Sequence, residues 1–127
     1  MLLVYMSLTG QTKKFINKFE YPNLELNPTN PFQEVKEDFI LVAPTYEKEV
    51  TDILWDFMGT GANASYCKGV LGGGNRNFAE LYCFTAKDIA EDFNVPLLHM
   101  FEFQGSKNDV QKLREEVARI EQNRITI

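Results

Sequence analysis

An apolar run that breaks into a hydroxyl-rich loop and then into a helical pattern is the feature that most restricts this chain. Leu2-Leu3-Val4-Tyr5-Met6 is followed by Ser7-Leu8-Thr9-Gly10-Gln11-Thr12 and then by Lys13-Lys14-Phe15-Ile16-Asn17-Lys18-Phe19. A buried strand that turns into a helix through such a loop belongs to α/β architecture, where the turn is the place that holds phosphate. Ser7, Thr9 and Thr12 can donate to phosphate oxygens. Gly10 lets the backbone approach, and the helix start adds free N–H groups and a partial positive charge. No Lys or Arg lies inside the loop. It matches neither G-x-x-x-x-G-K-[ST], which a nucleoside triphosphate with magnesium requires, nor the dinucleotide pattern G-x-G-x-x-G. One terminal phosphate held by hydroxyls and amides fits it better.

The rest of the chain repeats the strand-then-helix alternation. Leu24-Glu25-Leu26 makes a second strand after the break at Tyr21-Pro22, and Asn27-Pro28-Thr29-Asn30-Pro31 reads as a loop. Phe39-Ile40-Leu41-Val42-Ala43 is a continuous apolar run, as expected of a central strand covered on both faces. Val50, Ile53, Leu54, Phe57 and Met58 recur at helical spacing and predict a helix over Thr51 to Met58, stopped by Gly59-Thr60-Gly61. Glu47, Lys48 and Glu49 then fall in the loop before it. Gly69-Val70-Leu71 is the fourth strand, with a possible start at Cys67, and Gly72-Gly73-Gly74-Asn75-Arg76-Asn77-Phe78 follows it. Ala86, Ile89, Ala90 and Phe93 face a further helix, and Leu97 to Phe103 is the fifth strand. Ser106 and Asp109 form a capping box for a last helix with Val110, Leu113, Val117 and Ile120 on its apolar stripe. Five strands alternating with helices imply an α/β fold, a doubly wound five-stranded parallel sheet in the order 2-1-3-4-5 with helices on both faces.

At 127 residues and 44% hydrophobic, the chain suffices for one core, and a single domain over 1–127 is expected. The formal charge of −5 argues against non-specific nucleic-acid binding. The apolar start is too short for a secretory signal, and no segment reaches transmembrane length. Cys67 and Cys83, without C-x-x-C spacing, read as packing cysteines in a reducing cytoplasm. His99 lies in a predicted strand and reads as packed or surface, and Trp55 as a packing residue. Neither a metal site nor a catalytic residue is expected.

In a sheet of this order the loops after strands one, three and four converge. They carry Ser7 to Thr12, Thr45 to Val50 and Gly72 to Phe78. A phosphate with aromatic and amide-rich loops beside it describes a site for a flat phosphomonoester, with flavin mononucleotide (FMN) the first candidate. Tyr46 and Phe78 can contact the ring, while the glycines, Asn75 and Asn77 offer donors and acceptors to its pyrimidine-like edge. Lys13 lies near enough to the loop to add positive potential. Arg76 can meet the cofactor, a partner carboxylate or solvent.

Three segments carry a resemblance. Ser7 to Thr12, Gly74-Asn75-Arg76-Asn77-Phe78 and Phe101-Glu102-Phe103-Gln104-Gly105-Ser106 resemble, in order and spacing, the NrdI family of flavodoxin-like proteins. The resemblance covers nearly the whole chain, and G-N-R-N-[FW] is its specific element. It implies bound FMN and a role beside class Ib-type ribonucleotide reductase. The reduced flavin would react with O2 to supply superoxide for assembling the metal and radical cofactor, typically dimanganese, of the radical subunit NrdF. An unidentified electron donor would reduce the flavin. By the same resemblance Ser7, Leu8, Thr9, Gly10, Gln11 and Thr12 would hold the phosphate. Thr45, Tyr46 and Glu47 would flank the ring on one side and Gly73, Gly74, Asn75, Asn77 and Phe78 on the other, with Glu102, Phe103 and Gly105 closing the rim. One departure stands out: the family often carries glycine after the third strand, where a peptide can flip with flavin redox state, and Tyr46-Glu47-Lys48-Glu49 contains none.

Two rival functions share the fold. A general flavodoxin would pass single electrons to several reductases, and a cofactor-free flavodoxin-like domain would serve only as an interaction module. A phosphoacceptor receiver needs aspartates where this chain has Met6-Ser7 and Ala43-Pro44, and a cysteine phosphatase needs a first-loop Cys that is absent.

Overall fold

The computed structural model describes residues 1–125. Strands β1 (Leu2–Met6), β2 (Asn23–Leu26), β3 (Phe39–Ala43), β4 (Cys67–Gly74) and β5 (Leu97–Glu102) form a parallel sheet in the order β2-β1-β3-β4-β5. The helices are α1 (Gln11–Ile16), α2 (Lys48–Met58), α3 (Asn63–Tyr66), α4 (Phe84–Phe93) and α5 (Lys107–Ile125), with a 3-10 helix over Arg76–Leu81. The expected fold class and strand order are both present.

Alternation along the strands divides the core into two layers. Val4, Met6, Leu41 and Ala43 pack with Leu54, Phe57 and Met58 of α2 and with Ala86 and Ile89 of α4. On the other face Leu3, Tyr5, Ile40 and Val42 meet Phe15 and Ile16 of α1 and Leu113, Val117 and Ile120 of α5. Phe15 stacks on Phe101 of β5 with ring centroids 4.1 Å apart. Each fully buried Leu, Ile or Phe contributes on the order of 1.5–3 kcal/mol, so each covering helix is held chiefly by its apolar face.

Several elements differ from the sequence reading. α1 starts at Gln11 and ends at Ile16, not Lys13 to Phe19, because Lys18 and Phe19 close with tighter bonds to Phe15 and Ile16 carbonyls, both 3.1 Å. α2 begins at Lys48 and not Thr51. The Glu47 carbonyl accepts Val50 N–H at 2.9 Å and Thr51 N–H at 3.3 Å, so Lys48 and Glu49 form a polar first turn instead of loop. α3 has no apolar period to announce it. Its anchor is Asn63, fully buried, which donates to the Gln33 and Phe57 carbonyls at 2.8 Å each and accepts Val35 N–H at 2.9 Å.

β4 continues through the glycines that read as a loop, and β5 stops at Glu102, one residue early, with Phe103 leaving in the left-handed region (φ 54°). The glycines are required by packing: a Cβ at Gly72 would lie 2.7 Å from Ala86 Cβ, and one at Gly73 would lie 3.0 Å from the Phe101 ring. The capping box of α5 is present, with Ser106 N–H donating to Asp109 Oδ2 at 2.7 Å and Asp109 N–H to Ser106 Oγ at 3.3 Å.

Candidate functional site

The strand C-termini open onto a cavity of about 550 Å³. Its lining comes from the three loops expected to converge, with Leu8, Thr9, Gln11 and Thr12 after β1, Thr45, Tyr46 and Glu47 after β3, and Gly73, Gly74, Asn75 and Phe78 at the end of β4, joined by Phe103 after β5. Pro44, Leu81 and Phe84 also line it, unanticipated from the sequence. Ser7, Gly10, Asn77, Glu102 and Gly105 lie outside the lining, as do Lys48 and Glu49.

The first loop is ordered by its own polar groups. Ser7 Oγ accepts Lys13 N–H at 3.3 Å, and the Gly10 carbonyl accepts Lys14 N–H at 3.0 Å. Gly10 caps α1 at φ 91°, in the left-handed region that favours glycine, and no atom lies within 4 Å of where its Cβ would be. The conformation, not crowding, therefore selects glycine there. Thr12 is buried, while Thr9 Oγ1 lies 3.4 Å from the Tyr46 hydroxyl and joins this loop to the one after β3. Lys13 does not add its charge to the loop: its Nζ pairs with Glu25 on β2 at 3.4 Å.

The wall opposite is built on β4. Thr45 Oγ1 donates to the Gly73 carbonyl at 2.7 Å, tying the two neighbouring loops together. Asn75 Oδ1 accepts Asn77 N–H at 2.9 Å, so the Asn75 side chain shapes the turn itself. Cys83 lies behind this wall, close to Gly72 and Gly74, and both it and Cys67 are buried. Burial pushes the Cys67 thiol up to about 11 and raises that of Cys83, which leaves both as inert packing groups.

Chemically the cavity is apolar with a few polar groups. Leu8, Phe78, Leu81 and Phe103 are 49%, 62%, 57% and 52% exposed and ring the opening, an uncommon concentration of large apolar side chains on a surface. Among the described residues Glu47 is the one carboxylate in the lining, and no Lys or Arg lines it. A flat, largely apolar ligand with a polar tail meets these demands. The volume is within the range of about 300–1,000 Å³ usual for small-molecule and cofactor sites.

The remaining candidates have structural partners. His99 Nε2 lies 2.7 Å from Asp109 Oδ1, and Trp55 Nε1 donates to Asp92 at 2.8 Å. Among the described residues no group of three or more His, Cys, Asp or Glu is placed to hold a metal ion. No helix among them is long and apolar enough to cross a membrane.

A parallel sheet in this order with a cofactor-sized cavity at its switch point defines a flavodoxin-like protein. A short-chain flavodoxin associated with a bacterial microcompartment has the same fold, with a TM-score of 0.63 over 90% of each chain at 16% identity. The profile of the NrdI flavodoxin-like family matches residues 3–115. Protein NrdI of Bartonella henselae is 33% identical, with 87% of each chain covered. Protein NrdI of Mycoplasma genitalium is 30% identical over 96% of this chain and 85% of its own length. The chain belongs to the NrdI family, whose flavodoxin-like character implies a flavin.

Proposed function

We propose that this chain binds FMN in the cavity and serves as the oxidant-supplying partner of NrdF, the radical subunit of a class Ib-type ribonucleotide reductase. The observation that carries the reading is the convergence of the hydroxyl loop and the aromatic rim on one cavity in a member of the NrdI family. Thr9 and Thr12, with Ser7, Leu8, Gly10 and Gln11 around them, hold the phosphate through hydroxyls and backbone amides. Tyr46 and Phe78 flank the ring with Thr45, Glu47, Gly73, Gly74 and Asn75, and Phe103 closes the rim. Asn77 and Glu102 act on the turn beside the ring, and Gly105 stands behind it.

Held there and reduced, FMN would supply the one-electron chemistry that converts O2 to superoxide. The residues do the rest: the apolar rim packs against the ring, and the open mouth leaves it within reach of O2. Glu47 disfavours added negative charge in the cavity, which favours electron release. An unidentified electron donor reduces the flavin, O2 is the substrate, and the setting is the cytoplasm with neither nucleic acid nor membrane as partner.

The test is an anaerobic reduction of the FMN-loaded protein followed by admission of air in the presence of metal-loaded NrdF. Fast reoxidation with radical formation in NrdF is the expected result. Slow reoxidation with no radical would instead identify a general electron carrier, and failure to take up FMN an interaction module.

A further inference from the structure

We infer that Glu102 is a positioning residue: its carboxylate fixes the Asn75 to Phe78 turn against the cavity through the Arg76 peptide, without itself touching the ligand. Glu102 ends β5 and faces a neighbouring cavity of about 560 Å³, which it lines together with Arg76 and Asp109. Its Oε2 accepts Arg76 N–H at 3.2 Å, and its Oε1 lies 3.7 Å from Arg76 Nε. The turn therefore has two sides. Asn75 and Phe78 line the first cavity, and Arg76 and Glu102 line the second.

The turn has few other supports. None of the residues Arg76–Leu81 is buried, so packing does not fix them. Within the turn Asn77 N–H donates to Asn75 Oδ1 at 2.9 Å and Phe78 N–H to the Asn75 carbonyl at 3.1 Å. Those bonds set its shape but not its place on the sheet. Its ties to β5 are the Phe103 N–H bond to the Gly74 carbonyl at 3.2 Å and the Glu102 carboxylate. Immediately after Phe78, Ala79 stands at φ 52° and ψ −119°, a conformation unfavourable for any residue with a Cβ. A strained, unburied turn needs an external tie to keep one position.

Of the two Glu102 contacts, the bond to the peptide is the one that positions. A carboxylate accepting a backbone N–H makes a charge-assisted bond, stronger than a neutral one. The Arg76 guanidinium is 68% exposed, and an exposed ion pair at 3.7 Å adds little.

The experiment compares Glu102→Ala, Glu102→Gln and Arg76→Ala by hydrogen exchange in the cofactor-free chain, and by affinity and visible circular dichroism after FMN is added. The second part rests on the FMN reading above; the first does not. Glu102→Ala is expected to speed exchange at the Arg76, Asn77 and Phe78 amides about tenfold, with the β4 amides unchanged. It should also weaken FMN binding about tenfold and alter the dichroism. Glu102→Gln keeps an acceptor oxygen and should restore both to within about threefold of the parent, and Arg76→Ala keeps the N–H and should do the same. Parent-like exchange in Glu102→Ala would overturn the inference, and so would parent-like dichroism, or an Arg76→Ala or Glu102→Gln protein that behaves like Glu102→Ala. If the parent takes up no FMN, the functional reading fails while the exchange measurements still decide the role of Glu102.

Discussion

The hydroxyl of Thr85 bridges both backbone polar groups of Tyr46, accepting its N–H at 3.3 Å and donating to its carbonyl at 3.1 Å. Thr85 is fully buried in the first turn of α4, so the backbone that carries Tyr46 into the cavity wall is anchored to a helix. Thr85→Val keeps the shape and removes both bonds, leaving two backbone groups without their partner. The expected loss is about 2 kcal/mol, which lowers Tm by roughly 6–10 °C. Thermal unfolding checks this, with Thr85→Ser expected to stay near the parent.

Gly72→Ala places a Cβ where Ala86 Cβ would be only 2.7 Å away and Cys83 Cβ 3.0 Å. Neither neighbour is the end of a flexible side chain, so α4 must shift. Denaturant unfolding should give a destabilisation of about 1–3 kcal/mol. Gly10→Ala, where space is open but φ is 91°, should cost about 1 kcal/mol from conformation alone.

The Asp109 carboxyl is raised by its own burial, but the Ser106 N–H, His99 and the Ser106 hydroxyl outweigh this and hold it below the usual aspartate value. A depressed folded-state pKa means that the ionised carboxylate stabilises the fold above the unfolded-state value of about 3.9, and that this is lost as pH falls through the lower folded-state value. The stability difference between the parent and Asp109→Asn should therefore shrink as pH is lowered from about 5 to about 2. Urea unfolding at stepped pH values measures it, and a difference that stays constant across that range would contradict the assignment.

Glu47 places a carboxylate in the cavity lining with no cation beside it there among the described residues. On the proposed reading that the cavity holds FMN, Glu47→Gln should raise the reduction potential of the flavin. Glu47 is exposed, so the shift should be on the order of 20–50 mV and should decline with added salt. A redox titration at low and high ionic strength reads both.

The sheet was legible because its central strands are uninterrupted apolar runs, and no rival pattern accounts for Leu2 to Met6 or Phe39 to Ala43. The loops that meet at the cavity followed from the strand order. What escaped was fixed by contacts between distant residues. Nothing near Gly72 in the chain says that Ala86 will press on it, so three glycines read as a loop although they complete β4. Lys48 and Glu49 add nothing to the apolar stripe of α2 that the sequence shows, and their helical state rests on the Glu47 carbonyl. Glu102 follows Phe101 into β5, but which cavity its carboxylate serves depends on where the Arg76 peptide lies.

At Gly72 to Gly74 the sheet is only one backbone thick, with Cys83 and Ala86 close on one side and Phe101 close on the other. At most other positions of the sheet, strand side chains fill both faces. Here the two layers of the core are in near contact, directly behind the wall of the cavity. Phe101, on one side of these glycines, stacks on Phe15 of α1, while Ala86 on the other side belongs to α4. The helix behind the cavity and the helix that follows its first loop therefore have, at these glycines, little more than a strand backbone between them.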